Sequence, residues 1–591
     1  MSVLAAALLA ACGGGNNSST ANPQSARSGS QGATRERAQG AGHDEVQGTN
    51  HADAFRLLTQ ATFGPTDADL ANVQASGVAS WIDQQEALPL RYSFLQRWNS
   101  DNALLSGTGG ASSTSVDSGI YQAALQSDDQ LRQRVTLALS EIFVVSMQDL
   151  GLSGAKSQTA AAYYDTLQQD AFGNYRTLLQ DVALSPAMGE YLSMLGNPLE
   201  NPRTGRIPDQ NFAREVMQLF SIGLLQLNLD GTPKLDGNGN PGETYGPDDI
   251  DGLSRVFTGW SWYGPDKSPQ RFKSAQGYLT PDRLYTPMQD YPDFHSLSEK
   301  NFLGTTIPAQ QTPDAPGNLK IAFDALFNHP NTGPFISKQL IQRLVTSNPS
   351  PAYVARVATV FNDDGNGTRG NLAAVVKAIL LDAEARDPGM AQGPGFGKLR
   401  EPVLRLTAFL RAYHATSDSG LMLIGSTDDP GTALDQSPLR APTVFNFFRP
   451  EYVNAGGQTA ANGLVAPEMQ ITSETSIAGY VNYMMAGVRA GVGMRGLGSK
   501  ASRPDVQPDY TAATALANDS SLLVPDVCAR LVGDTVDADL ITQIRAAVDS
   551  IKVPAWNKEH TNGQQIANAL GNRVQVAVLL ALASPEYITQ K

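Results

Sequence analysis

Apolar residues recur at helical spacing along most of this chain. Between positions 131 and 145, Leu131, Val135, Leu137, Leu139, Ile142 and Phe143 share one side, with Arg132, Arg134 and Glu141 opposite. That period of 3.6 predicts an amphipathic helix. Residues 211–225 repeat the pattern with Phe212, Val216, Leu219 and Phe220. The same reading predicts helices over 52–58, 70–73, 78–86, 160–167, 175–184, 318–327, 334–345, 351–361, 371–383, 398–415, 468–490, 538–551 and 563–583. Strand signals are few; residues 271–310 are expected to hold short hairpins. No repeat of solenoid length is visible, which argues against a stacked array. The expected fold class is mainly α: one large multi-helix domain over 51–591, with long loops and a few short hairpins.

The first fifty residues break this pattern. Positions 3–11 form an apolar run that ends directly at Cys12. The run is too short to span a bilayer, which takes about 20 apolar residues, and it reads as a signal peptide over 1–11. Leu9-Ala10-Ala11-Cys12 resembles a bacterial lipobox, which implies lipidation of Cys12 and cleavage before it. Met1-Ser2-Val3 carries no basic residue, so the start of the leader is expected upstream. Residues 12–50 are rich in Gly, Ser, Asn and Gln and have no apolar period. They are expected to be a disordered tether between membrane and folded body. Gly13 rather than Asp after the cysteine implies outer-membrane sorting, by similarity to other lipoproteins.

Composition narrows the function classes. The net charge of −14 argues against a nucleic-acid partner, because phosphate binding requires a basic face. Two cysteines exclude a disulfide framework. With Cys12 assigned to the anchor, Cys528 sits in an apolar stretch and reads as a core thiol. The chain has no Gly-x-Ser-x-Gly, His-Glu-x-x-His, Walker or Cys-x-x-Cys signature.

Several long motifs follow one another in order. Arg56-Leu57-Leu58-Thr59-Gln60-Ala61-Thr62-Phe63-Gly64-Pro65-Thr66 comes first, then Trp81-Ile82-Asp83-Gln84-Gln85. Next are the block 211–224, Val256-Phe257-Thr258-Gly259-Trp260, and His295 with Lys300 and Gly304. His329-Pro330, the block 442–448 and Pro467-Glu468 complete the series. Over residues 52–586 the chain resembles the bacterial exported family known as domain of unknown function 1800. The resemblance implies export and an exported, sulfatase-like protein partner. It also exposes a departure. Many relatives carry Trp-His-Asn-His-Phe where this chain has Leu139-Ser140-Glu141-Ile142-Phe143, so two imidazoles that suit a metal are replaced by Ser140 and Ile142.

Candidate chemistry within these blocks is sparse. Glu215 has the position of a general acid or base and Arg214 that of an anion clamp; the alternative is a buried polar network. His295, Lys300 and His329 are the remaining catalytic candidates, although His329 at a helix end is also explained by the helix dipole. Asp236, Asn238 and Asn240 place oxygen donors at alternate positions, as at the start of a calcium loop. Pro241 stands where such a loop requires Gly, and Asp-Gly and Asn-Gly steps are equally favoured in hairpin turns. The expectation is a lipid-anchored cell-envelope protein, an accessory or binding protein acting with its exported partner on extracellular material. The alternative is a secreted hydrolase with its site around Arg214, Glu215, His295, Lys300 and His329.

Overall fold

The computed structural model describes residues 49–152, 155–495, 502–534 and 536–591. The leader, Cys12 and all but the end of the 12–50 segment lie outside the described residues. Among the described residues the chain is mainly helical, with two- and three-stranded sheets of very short strands.

The N-terminal part comprises α1 (His51–Ala61), α2 (Asp67–Ser76), α3 (Val78–Ala87), α4 (Phe94–Leu104), α5 (Ser113–Gln126), α6 (Gln130–Ser140), α7 (Lys156–Gln169), α8 (Tyr175–Leu184) and α9 (Pro186–Tyr191). The middle adds α10 (Asn211–Gln218), α11 (Pro247–Val256), α12 (Ala315–Asn328), α13 (Thr332–Leu344), α14 (Pro351–Asn362) and α15 (Leu372–Leu381). Two antiparallel pairs lie in the expected 271–310 region or next to it: β1 (Trp260–Ser261) with β2 (Gln289–Asp290), and β3 (Lys300–Phe302) with β4 (Thr305–Ile307). The C-terminal part holds β5 (Lys398–Leu399), α16 (Pro402–Ala412), β6 (Thr416–Ser417), α17 (Glu474–Ala490), β7 (Val492–Arg495), β8 (Pro504–Gln507), α18 (Ser520–Leu531), α19 (Ala538–Ser550), α20 (Gly563–Leu582) and β9 (Thr589–Gln590).

Most predicted helices appear within a few residues of their expected bounds, and the exceptions have local causes. The 131–145 helix stops at Ser140. Beyond it the Phe143 carbonyl accepts from the Tyr163 hydroxyl at 2.6 Å, and Met147 N–H donates to Leu439 O at 2.8 Å. Tertiary partners thus replace helical ones along the β-branched run Ile142, Val144, Val145. The 211–225 helix ends at Gln218, where Phe220 N–H and Ile222 N–H bond five residues back and widen the last turn. Residues 398–401 are not helical, because β5 pairs antiparallel with β9 and Pro402 occupies the first helical position.

Among the described residues, two large hydrophobic cores result, with a small cluster of Val144, Ala441, Phe447 and Phe448 beside them. The first gathers Leu57, Trp81, Leu139, Phe143, Tyr175, Phe220, Phe257, Leu340, Tyr353 and Val376. The second gathers Phe63, Tyr121, Leu137, Phe409, Met484, Val527, Cys528, Val578 and Tyr587. α5 and α6 face both, since Ile120 and Leu139 belong to the first and Tyr121 and Leu137 to the second. Cys528 is buried and unpaired, and burial pushes its thiol up to about 11. Gly64 shows why a glycine ends the first motif. It has φ +123°, and a Cβ there would lie 2.5 Å from the Ala408 Cα of α16.

Every residue of α6 and of α16 is buried, their arginines included. The polar side of α6 therefore meets protein rather than water. Arg411 donates to Gly64 O at 2.7 Å and to Ala124 O and Leu125 O at 3.2 Å each, and pairs with Asp69 at 2.7 Å. Where α6, α13 and β5 meet, the seam between the cores is filled by charge. Lys398 Nζ lies 3.0 Å from Glu468 Oε1 and 3.4 Å from Glu401 Oε1, and donates to Arg343 O at 2.9 Å. Arg343 Nη2 donates to Glu141 O at 2.9 Å, and Arg134 Nη2 donates to Arg343 O. Gln590 of β9 closes the seam by donating to Leu344 O and Val345 O at 2.8 and 2.9 Å. Removing one partner of such a buried set strands its counter-charges, at a cost of about 3–5 kcal/mol. Lys398→Met is expected to lose that much stability in urea denaturation; a loss under about 1 kcal/mol, the range of a surface pair, would refute the seam's structural role.

Candidate functional site

A cleft of about 860 Å³ opens on the edge of this seam, within the size range of small-molecule sites. Its floor is one face of α13. Phe335, Lys338, Gln339 and Gln342, at spacings of three and four residues, all line it, with Arg343 beside them. Glu141 and Ile142, just past the end of α6, complete the floor.

One wall is an irregular hairpin over residues 224–244, paired at Leu225–Glu243, Leu227–Pro233 and Leu235–Pro241. Gly223 starts it with φ +69°, and a Cβ there would lie 2.7 Å from the Phe335 ring. Asn331 fastens its base to α13. The Asn331 carboxamide donates to Ile222 O at 2.9 Å and Leu225 O at 2.7 Å, and accepts from Leu227 N–H at 2.9 Å. The opposite wall is the loop 444–453 with Gln470. Gln342 Nε2 reaches Pro450 O at 3.2 Å, Arg449 N–H donates to Gln470 Oε1 at 2.9 Å, and the Arg449 guanidinium covers the Phe445 ring at 4.5 Å.

Electrostatics set the floor apart. Gln436 Nε2 reaches both Glu401 Oε2 at 2.9 Å and Glu141 Oε1 at 3.4 Å, so the two carboxyls are neighbours. Two adjacent buried carboxyls do not both ionise. Burial, then the Glu401 charge, pushes Glu141 well above the usual carboxylate range. Glu401, beside Lys398 and accepting from Glu141, is held down to about 2 despite its burial. Burial beside Glu401 thus favours the protonated form of Glu141, with Glu401 accepting from it. Glu141 Oε2 lies 3.6 Å from Arg343 Nε, too far for a hydrogen bond. Both atoms, Gln339 Nε2 and Gln342 Oε1 are buried without a hydrogen-bond partner.

The candidates named from sequence lie elsewhere. Arg214 is exposed and Glu215 buried on α10, consistent with neighbouring residues pointing about 100° apart. Burial raises the Glu215 carboxyl, and its Oε2 has no partner. His295 is buried, with Nδ1 2.8 Å from Thr258 O and Nε2 2.7 Å from Asn318 Nδ2. This fixes a neutral ring that donates through Nδ1 and accepts through Nε2, and burial lowers its pKa. Lys300 Nζ donates to Ser296 O at 2.8 Å and Ser298 O at 3.1 Å, and burial brings it down to about 8. His329 Nδ1 accepts from Asn331 N–H at 3.2 Å, which links it indirectly to the hairpin wall. Of the five, Lys300 acts on the His295 charge and Arg214 on the Glu215 charge, and none lines the cleft. Asp236 Oδ1 accepts from Asn238 N–H at 2.8 Å and Asn240 N–H at 2.9 Å, while Asp236 N–H donates to Asn240 O at 2.8 Å. The Asp236 carboxylate thus serves the hairpin tip. Among the described residues, no group of three or more His, Cys, Asp or Glu could hold a metal.

The family described as Protein of unknown function (DUF1800) matches residues 56–589. The chain belongs to the DUF1800 family. No curated protein and no solved structure matches it. In this DUF1800 chain, blocks far apart in sequence converge on the cleft. Gln218, Leu219, Gly223 and Leu224 come from the 211–224 block and Val444 and Phe445 from the 442–448 block, while Glu468 lies beneath in the seam. Glu141 and Ile142, from the 139–143 stretch, also line the cleft.

The carboxyl pair sets the pH response. Glu401, depressed in the folded state, contributes stability that is present above about 4.5 and lost as pH falls towards about 2. Glu141, raised when folded, contributes stability that is full below its unfolded value and lost as pH rises through its folded value. Glu141→Gln is expected to flatten the alkaline decline of stability, by at most about 1.4 kcal/mol per pH unit, and to leave the acid loss in place. Denaturation midpoints measured from pH 4 to 10 check this; an unchanged alkaline slope in Glu141→Gln would contradict it.

Proposed function

We propose that this DUF1800 protein is a lipid-anchored binding protein of the cell envelope, with the cleft as its binding site. A cleft lined by apolar side chains and a few convergent polar groups is the usual form of a ligand site. The observation that carries the reading is the floor: four buried polar atoms without hydrogen-bond partners, on α13 and just past the end of α6, beneath a cleft of about 860 Å³. Each unpaired buried group costs about 1–3 kcal/mol, a cost that natural interiors tolerate chiefly at functional sites. The lipid on Cys12 holds the protein at the outer membrane, and the 12–50 segment gives the body reach to extracellular material. In this reading the protein is an accessory that presents such material to an exported, sulfatase-like partner.

Two measurements test the parts separately. Cys12→Ser is expected to move the protein from the membrane to the soluble fraction; unchanged membrane association would refute lipidation. Val453→Trp places a large ring on a half-exposed wall position and is expected to weaken co-sedimentation with insoluble envelope polymer at least tenfold. Equal retention of both proteins, or no retention of the wild type, would overturn the cleft as the binding site.

A further inference from the structure

The unpaired atoms of the floor divide evenly by chemistry. Arg343 Nε and Gln339 Nε2 are donors, whereas Glu141 Oε2 and Gln342 Oε1 are acceptors. Their arrangement excludes several ligand classes. A carboxylate, phosphate or sulfate would satisfy the two donors and leave both acceptors facing negative oxygen. An ammonium group would do the reverse. An apolar group would leave all four buried atoms unpaired, at about 1–3 kcal/mol each.

A hydroxyl group both donates and accepts, and so fits such a mixed set. The 3.6 Å separation of Arg343 Nε and Glu141 Oε2 is too long for a direct bond. A single hydroxyl oxygen beside the two atoms accepts from the guanidinium and donates to the carbonyl oxygen of the neutral acid. Gln339 and Gln342 offer a second donor and acceptor one helical turn apart on the same face of α13. Their terminal torsions are broad, so small rotations of the carboxamides bring them to a ligand. Gln342 Nε2 is meanwhile held by Ser347 O at 2.9 Å and Pro450 O at 3.2 Å, which leaves its oxygen as the free end. Around this polar floor, Phe335, Phe445 and Tyr452 supply flat apolar surfaces that suit the C–H faces of pyranose rings. The volume of about 860 Å³ exceeds the needs of a single small polyol.

Resting on the cleft as the binding site, we infer that its ligand is a neutral, polyhydroxylated chain, a segment of saccharide. Arg343 with Glu141 reads one hydroxyl, and Gln339 with Gln342 reads another.

Gln339 gives a direct test, because its side chain has no hydrogen-bond partner in the fold. Gln339→Met removes the donor and keeps the length and volume, so folding loses nothing. The probes are neutral hexasaccharides of α- and β-linked glucose, a hexamer of galacturonate and hexaethylene glycol, titrated by calorimetry into the full chain. The expected result is binding of a neutral hexasaccharide, weakened at least tenfold in Gln339→Met, with a melting temperature equal to or above that of the wild type. Binding of the galacturonate alone would overturn the inference, as would no binding of any sugar, or equal affinity of wild type and Gln339→Met. The Val453→Trp variant separates this from the cleft reading. Sugar binding that survives the filled wall overturns the cleft as the site. Binding blocked by Val453→Trp and untouched by Gln339→Met leaves the cleft standing and refutes the hydroxyl code.

Discussion

The structure turns on a set of charges buried where its two hydrophobic cores meet. Lys398, Arg343 and Arg134 face Glu401, Glu468 and Glu141 across the ends of α6, α13 and β5. Neither core contains these groups. β9, the last strand of the chain, returns to pair with β5, and Gln590 bonds the carbonyls at the end of α13. A hydrophobic seam of the same shape would serve stability as well or better. The ionic version fixes which helix ends meet, because the Arg343 carbonyl accepts from both Lys398 and Arg134 while the Arg343 guanidinium donates to Glu141 O.

The same set of charges shapes the cleft. One carboxyl of the seam must remain protonated, since Glu141 and Glu401 share the reach of Gln436. The neutral member is the one that borders the opening. A seam built for packing thus leaves one acid and one guanidinium edge at its outer boundary, each short of a partner. The walls are tied to the floor: Asn331, at the start of α13, pins the hairpin, and Gln342 with Gln470 pins the 444–453 loop. The site is therefore rigid beneath and bordered by loops, the arrangement in which binding residues are commonly found.

Much of the fold was legible because helical periodicity and caps are local properties. Thr66 before Asp67 caps α2 through Asp69 N–H, as the residue pattern implies. The family blocks were also legible as ordered motifs. The site was not. Glu141, Gln339, Gln342 and Arg343 stand on helical stripes that read as solvent faces, and only tertiary packing buries them. α6 illustrates the limit: its pattern is amphipathic, yet every residue is covered, Arg132 by the Leu88 carbonyl and the Phe172 ring and Arg134 by the seam. Histidines and a lysine drew attention because their chemistry is versatile. In the fold, His295 and Lys300 bind backbone carbonyls and brace the loops around β3. The 139–143 stretch, read from sequence only as lacking two imidazoles, contributes Glu141 and Ile142 to the cleft.

The central claim is that the ionic seam makes the two cores one cooperative unit. Native-state amide hydrogen exchange measures this directly, because separate units open with separate free energies. The account predicts that the amides of α6 and α13 in the first core, and of α18 and α20 in the second, exchange through one opening of equal free energy. A second core that opens several kcal/mol below the first would contradict it.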